Sequence, residues 1–200
     1  GGHNTTQSLH VFERWALKSN PDAVILGFVL NDAEPPIFQR DPATGRPVRR
    51  RLAVEQGQAG NEPPAGLLYR SSIARLIWQS RADGKQTQST VEHYRSLYRD
   101  SNPDWKTNRE SLLRIVEICQ EQEIPCYVLL FPVLYELNNN YPLKDVHAQI
   151  AQVLADSHAT FIDLLPHLAG KKAASLWVHP SDHHPNELVH AIIGKLLAER

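Results

Sequence analysis

The chain has 200 residues, of which 42% are hydrophobic, and a formal net charge of −1 at pH 7. This size and balance predict a single globular domain, residues 1–200, with a substantial core. The charge gives no reason to expect nucleic acid as a partner, because such binding needs a clustered positive field, and no apolar run is long enough to span a bilayer.

The sequence begins Gly1-Gly2-His3-Asn4 and contains no methionine. We therefore expect the natural reading frame to start before Gly1. The first residues show no basic region followed by an apolar stretch, which is the pattern of a signal peptide. Localisation and oligomeric state stay open.

The first elements are a predicted helix and a predicted strand. Apolar residues in Thr5–Ser19 recur at the i, i+3, i+4 spacing of an amphipathic helix. Its predicted inner face is Leu9, Phe12, Trp15 and Ala16. The run Ala23–Leu30 is almost continuously apolar, which is typical of a parallel strand covered on both faces, and it ends in Asn31-Asp32.

Residues from about 33 to 100 form a long irregular insertion, marked by Pro35-Pro36 and Pro63-Pro64. Within it, Ser72–Arg81 predicts a short helix, and the run Arg49–Arg51 predicts a solvated flank of a hairpin. We expect the insertion to cover the mouth of any site at that sheet edge. Its role is open.

Regular alternation returns after residue 100. Asn102 and Pro103 predict the cap and first residue of a helix, whose inner face is Trp105, Leu112, Leu113, Val116 and Cys119. Two further strands are predicted at Cys126–Phe131 and Thr160–Leu164. The helix between them has the predicted inner face Leu143, Val146, Ile150, Val153 and Leu154. A last helix, from about Glu187 to Glu199, has the predicted inner face Leu188, Val189, Ile192, Ile193 and Leu196. The alternation predicts an α/β fold with parallel strands. Cys119 and Cys126 are predicted core residues.

The chemically unusual segment is Trp177–Asn186, before the last helix. Asp182 and His184 lie two residues apart, a spacing at which a carboxylate can orient an imidazole as a general base. An equally good interpretation is that Asp182 and Asn186 are competing helix caps and the histidines are surface residues. Both stay open on local chemistry.

A zinc site is a further alternative for this segment. The available donors are His179, Asp182, His183, His184 and His190. Adjacent histidines tend to diverge, and His190 on the final helix faces solvent as readily as the preceding loop. We therefore predict neither a metal nor a cofactor.

Four blocks in this order resemble the sequence blocks of SGNH/GDSL hydrolases: Gly2–Thr5, Pro21–Asp32, Phe161–Pro166 and Asp182–Asn186. The resemblance implies a three-layer α/β/α sandwich around a flavodoxin-like parallel sheet. It also implies that the backbone N–H of Gly2 and the amide of Asn31 hold an oxyanion, with His184 as base and Asp182 as its orienting acid. Many family members have Asp-x-x-His, so His183 remains an alternative base.

The family places its nucleophilic serine in a Gly-Asp-Ser motif upstream of the glycine block. The internal serines Ser8, Ser71, Ser72 and Ser181 do not suit that role. We therefore expect the first βα unit to be missing, three strands of the 2-1-3-4-5 sheet to remain, and one edge of Val24–Leu30 to be exposed. These 200 residues alone should be inactive.

The implied activity of the parent protein is hydrolysis of a small-molecule or glycan ester through an acyl-enzyme, without a cofactor. A polysaccharide O-acetyltransferase and a non-catalytic SGNH-like binding module remain alternatives. Asp163 is expected to cap or support its loop rather than to act in catalysis, and no chemistry is assigned to Asp32.

Overall fold

A computed structural model of the chain describes residues 3–36, 38–40, 43–44, 46–49, 90–179 and 182–200. The strands are β1 (Val24–Val29), β2 (Phe38–Arg40), β3 (Pro47–Arg49), β4 (Cys126–Phe131), β5 (Thr160–Asp163), β6 (Trp177–His179) and β7 (Asp182–Pro185). The α-helices are α1 (Thr5–Val11), α2 (residues 90–97), α3 (Pro103–Glu121), α4 (Lys144–Leu154), α5 (Leu165–Leu168) and α6 (Glu187–Ala198).

The central sheet is parallel, with the strand order β1-β4-β5. Val24 lies opposite Cys126, and Tyr127 lies opposite Thr160. Helices α2 and α3 lie between β1 and β4 in the chain, and α4 lies between β4 and β5. This arrangement confirms the predicted α/β class with a parallel sheet.

Strand β1 differs from its prediction in how it is covered. Phe28 is fully buried, but Ile25 is 55% exposed and Val29 38% exposed. Among the described residues β1 pairs with β4 only, so it is an edge strand there. The prediction of cover on both faces is therefore wrong for this part of the chain. The position of β1 at the end of the described sheet agrees with the expected exposed edge of Val24–Leu30.

The first helical segment is not a uniform α-helix. After α1 it continues as a π-helical turn, Phe12–Ala16, and a 3₁₀ turn, Leu17–Ser19. In the π turn the N–H of Leu17 donates to the carbonyl of Phe12, five residues back. This wider turn changes the angular spacing of side chains, so Phe12 is buried as predicted but Trp15 is 65% exposed. Placing Trp15 on the inner face was wrong.

Helix α3 begins as predicted, because the side chain of Asn102 accepts a hydrogen bond from the N–H of Asp104 and Pro103 is the first helical residue. Trp105, Leu112, Val116 and Cys119 are buried. Leu113 is exposed, which corrects its placement on the inner face. Both cysteines, Cys119 and Cys126, are buried core residues, as predicted.

Parts of the insertion are regular elements: the hairpin agrees with the one expected beside Arg49, whereas the helix at residues 90–97 was not predicted. Strands β2 and β3 form an antiparallel hairpin, with Phe38 opposite Arg49, and residues 90–97 are helical. The hydroxyl of Tyr98, after α2, donates to the carbonyl of Leu30 at 2.9 Å, so this end of the insertion lies over the carboxyl end of β1. The predicted helix Ser72–Arg81, Pro63-Pro64 and the rest of the arginine run lie outside the described residues.

Helix α6 buries Val189 and Ile193 but leaves Leu188 52% exposed, which corrects the predicted inner face. Among the helices that the structure describes, none is long and apolar enough to cross a membrane.

Candidate functional site

The segment that carries Asp182 and His184 is a β-hairpin, not the loop that its prolines predicted. Strands β6 and β7 are antiparallel, with Trp177 opposite Pro185 and His179 opposite Asp182. Two steps along β6, from Trp177 to His179, are matched by three along β7, from Pro185 to Asp182, so β7 carries a β-bulge. Asp182 and His184 are in direct contact within this bulged stretch.

Asp182 and His184 form two hydrogen bonds. The Oδ1 atom of Asp182 lies 2.5 Å from Nδ1 of His184 and accepts a second hydrogen bond, at 3.1 Å, from the backbone N–H of His184. These bonds, side chain first, lower the pKa of Asp182 below its usual value. An ionised carboxylate only accepts, so Nδ1 carries the proton and Nε2 of a neutral imidazole has a free lone pair.

The pair is open to solvent. The side chain of His184 is 85% exposed and that of Asp182 46% exposed. Among the described residues no protein group bonds to Nε2 of His184. Water screens such a pair, so it adds little to stability, but its free nitrogen can accept a proton from an incoming group.

His183 contacts a different side chain from His184. Its ring stacks on Trp177 with 3.9 Å between centroids and 22° between planes. The indole N–H of Trp177 in turn donates to the carbonyl of Leu134, in the segment after β4, at 3.0 Å. Trp177 thus ties the hairpin to the carboxyl end of the sheet, and the geometry pairs Asp182 with His184 rather than with His183.

Asn186 is the cap of helix α6. Its side-chain oxygen accepts from the N–H of Leu188 at 3.1 Å, and its amide donates to the carbonyls of Ser175 at 2.9 Å and Trp177 at 3.3 Å. Asp182 makes no such capping bond, since its oxygen is taken by His184. Of the two competing caps that the sequence offered, Asn186 is therefore the cap.

Asn31 lies in a 3₁₀ turn, Leu30–Ala33, directly after β1, and it is exposed. No protein group bonds to its side-chain amide among the described residues, and none of its hydrogen bonds there joins it to His184. The structure brings Asp182 and His184 into contact and places Asn31 at the carboxyl end of β1, in a different sheet.

The turn that presents Asn31 is supported by Asp32. The buried carboxyl of Asp32 accepts a hydrogen bond from the N–H of Val29 at 3.1 Å. The backbone carbonyl of Asp32 accepts one from the side-chain amide of Asn108 at 2.5 Å. Burial raises the pKa of Asp32 to about 7, against the lowering effects of that backbone bond and of the nearby Thr5 hydroxyl. The Thr5 hydroxyl is buried there without hydrogen-bond geometry to any described residue.

Gly2, the second oxyanion donor implied by the resemblance, lies outside the described residues, as do Ser71, Ser72 and Ser181. Ser8 lies in α1. The adjoining Asn4 caps α1 by accepting from the N–H of Gln7 at 3.0 Å, and its amide donates to the carbonyl of Glu34 at 3.0 Å. The chain before α1 is thereby attached to the segment that follows β1.

Two further carboxylate–imidazole pairs were not anticipated. Nδ1 of buried His147 lies 2.9 Å from Oδ1 of Asp163, which also accepts from the N–H of Leu165 at 2.9 Å. Nε2 of His93 lies 2.8 Å from Oε1 of Glu34. The bond to Leu165 agrees with the expected loop-supporting role of Asp163, but neither histidine carries a sequence signal, because its partner comes from a distant element.

Within the ranges that the structure covers, no three His, Cys, Asp or Glu side chains form a group suited to a metal ion. His190, one of the sequence's zinc candidates, is exposed on α6.

Comparisons with models of known families, with curated proteins and with solved structures gave no match to this chain. The case for its function therefore rests on the four sequence blocks and on the geometry described above.

Proposed function

We propose that this chain belongs to a serine-dependent ester hydrolase of the SGNH type, in which His184 is the general base. The observation that carries the proposal is the Asp182–His184 pair, with Nδ1 of the imidazole held at 2.5 Å and Nε2 free. Its position after the last parallel strand, with Asn31 after the first one described, agrees with the order of the family's blocks.

In the proposed reaction His184 takes the proton of a serine hydroxyl as the oxygen attacks an ester carbonyl. Asp182 keeps the Nδ1 proton in place and stabilises the imidazolium. The Gly2 N–H and the Asn31 amide donate to the oxyanion, and His184 returns the proton to the leaving alcohol. Water, activated by the same base, then releases the carboxylic acid.

The nucleophile in this proposal stands on the N-terminal side of Gly1, where the order of the family's blocks puts it. The exposed side chains of Ile25 and Val29 support this arrangement, because a further βα unit beside β1 would cover them. The finer fold assignment, a three-layer sandwich with a flavodoxin-like sheet, is part of the same proposal.

The test uses two polypeptides: residues 1–200, and the same chain extended upstream with its own coding sequence. We expect only the extended protein to hydrolyse p-nitrophenyl acetate. His184→Ala should lower its kcat by about 10²–10⁴ and Asn31→Ala by about 10²–10³. Equal, phosphonate-sensitive turnover by residues 1–200 would refute the external nucleophile.

His183→Ala is the matched control, because it removes the adjacent imidazole, which stacks on Trp177 and is not bonded to Asp182. We expect its kcat to stay within a few-fold of the parent value. A large loss of kcat with His183→Ala and none with His184→Ala would assign the base to His183.

Product analysis on an acetylated glycan separates hydrolysis, which yields free acetate, from transfer, which yields a newly acetylated sugar. An extended protein without a Gly-Asp-Ser motif would favour a binding module.

A further inference from the structure

Helix α6 has a second apolar stripe beside the one that the core buries. Val189 and Ile193 belong to the core cluster, whereas Leu188, Ala191 and the half-buried Ile192 line an open cleft. Positions 188, 191, 192 and 195 follow the i, i+3, i+4, i+7 spacing, so they form one continuous face. The 52% exposure of Leu188 is therefore part of an organised surface.

The cleft lies between this face and the turn that precedes the 3₁₀ helix Ala173–Ser175, and it encloses about 470 Å³. Its size is within the range of roughly 300–1,000 Å³ that is usual for small-molecule sites. Leu176, which is buried, contributes to its apolar lining.

Three lysines are also among the lining residues: Lys171, Lys172 and Lys195. Among the described residues, no carboxylate lines the cleft and none forms an ion pair with these three lysines. Lys195 also lies in the last turn of α6, where the helix dipole favours a cation, but that effect does not account for the other two. The cleft thus concentrates positive charge in a chain whose net charge is −1.

We propose that this cleft binds an amphiphilic anion, a single aliphatic chain that ends in a carboxylate or phosphate. The aliphatic chain of the ligand contacts Leu176, Leu188 and Ile192, and its head group lies among the lysines. The positive charge of the lysines favours an anionic head group, because a neutral amphiphile gains nothing from it. The apolar stripe favours an aliphatic tail, because a bare anion leaves the stripe exposed to water. This inference does not rest on the proposed esterase activity.

The experiment is calorimetric titration of the 200-residue chain with dodecanoate below its critical micelle concentration. Dodecyl phosphate, inorganic phosphate and neutral dodecyl maltoside are titrated in parallel. We expect one saturable site for the two anionic amphiphiles, affinities at least tenfold weaker for phosphate and for the maltoside, and weaker dodecanoate binding at high salt. Equal affinity for the maltoside or for inorganic phosphate would overturn the proposal.

The variants separate the cleft from other apolar surfaces such as the exposed side of β1. Lys171→Gln/Lys195→Gln should weaken dodecanoate binding by at least about fivefold, as expected for two exposed charge contacts. The matched control Lys18→Gln/Lys106→Gln removes two exposed lysines from other elements and should change the affinity less than twofold. Leu188→Gln tests the tail contact separately, and circular dichroism verifies that each variant is folded. Unchanged binding in both cleft variants would refute the site.

Discussion

His184 makes both of its hydrogen bonds to Asp182 through the same carboxylate oxygen, one from the ring and one from the backbone. The backbone bond fixes the carboxylate relative to the strand, and the ring bond then fixes the imidazole relative to the carboxylate. The tautomer of His184 therefore depends on Asp182 rather than on the bulk of the protein.

Asp182→Asn should release this tautomer. An amide can donate as well as accept, so Nδ1 of His184 no longer has to carry the proton, and the Nε2–H form should increase. Nitrogen NMR of the histidine side chains measures this directly in residues 1–200. An unchanged Nδ1–H population would show that the carboxylate does not orient the ring, and His183 serves as the internal reference.

Asp32 should make stability depend on pH. A carboxyl whose pKa rises from 3.8 to about 7 on folding favours the folded state when protonated. Its contribution is therefore complete below about pH 4, is lost as the pH rises towards 7, and amounts to at most about 4 kcal/mol. Denaturant titrations at pH 5 and pH 8 measure the difference.

Asp32→Asn should reduce that difference, because an amide stays neutral at both pH values while its oxygen still accepts from the N–H of Val29. The exposed Asp22→Asn controls for the loss of one carboxylate. If Asp32→Asn lowered the free energy of unfolding equally at pH 5 and pH 8, the titration of Asp32 would not be the cause.

Trp177→Phe should loosen the hairpin. The substitution keeps an aromatic ring for His183 but removes the N–H that donates to Leu134, and we expect a loss of about 1 kcal/mol in the free energy of unfolding. Trp15→Phe, at an exposed ring, should change it by less than about 0.5 kcal/mol. Equal effects of the two substitutions would contradict a special role for the Trp177 N–H.

Asn186→Ala removes the α6 cap and both carbonyl contacts, so we expect a loss of about 1–2 kcal/mol. Asn186→Asp keeps the cap acceptor and loses only the donors, and it should retain more of the stability. Thermal denaturation distinguishes the two. An aspartate variant as unstable as the alanine variant would mean that the donors to Ser175 and Trp177 matter more than the cap.

The exposed side of β1 should make residues 1–200 self-associate, because an apolar edge strand is a template for pairing. Ile25→Lys/Val29→Lys should lower the weight-average mass in sedimentation experiments. Val11→Lys/Leu113→Lys, also at exposed apolar positions but on helices, is the control. If the two double substitutions reduced association equally, the association would not be specific to β1. If residues 1–200 without substitutions sedimented as a monomer, the expectation would be contradicted.

Local patterns predicted the fold well where one element decides the outcome. The run Cys126–Phe131 and the cap at Asn102 are strong local signals, and both were confirmed. Trp15 was misplaced because a π turn cannot be recognised from a 3.6-residue period. The exposure of Ile25 depends on what packs against that face of its strand, which no feature within the strand encodes.

The candidate site was predictable to a similar degree. The contact between Asp182 and His184 follows from two nearby residues, and the sequence indicated it. The stacking of His183 on Trp177 and the pairing of Glu34 with His93 require a hairpin and a long-range approach, respectively. Spacing alone does not contain that information.

The register of the β6–β7 hairpin is linked to the short spacing between Asp182 and His184. From the pair Trp177–Pro185 to the pair His179–Asp182 the chain advances two residues on β6 and three on β7, so β7 carries one extra residue, a β-bulge. Asp182 and His184 make their contact within this bulged stretch. Inserting one more residue, to give the Asp-x-x-His spacing, would enlarge the bulge or shift the register, and the Asp-x-His spacing is therefore the one that this hairpin accommodates.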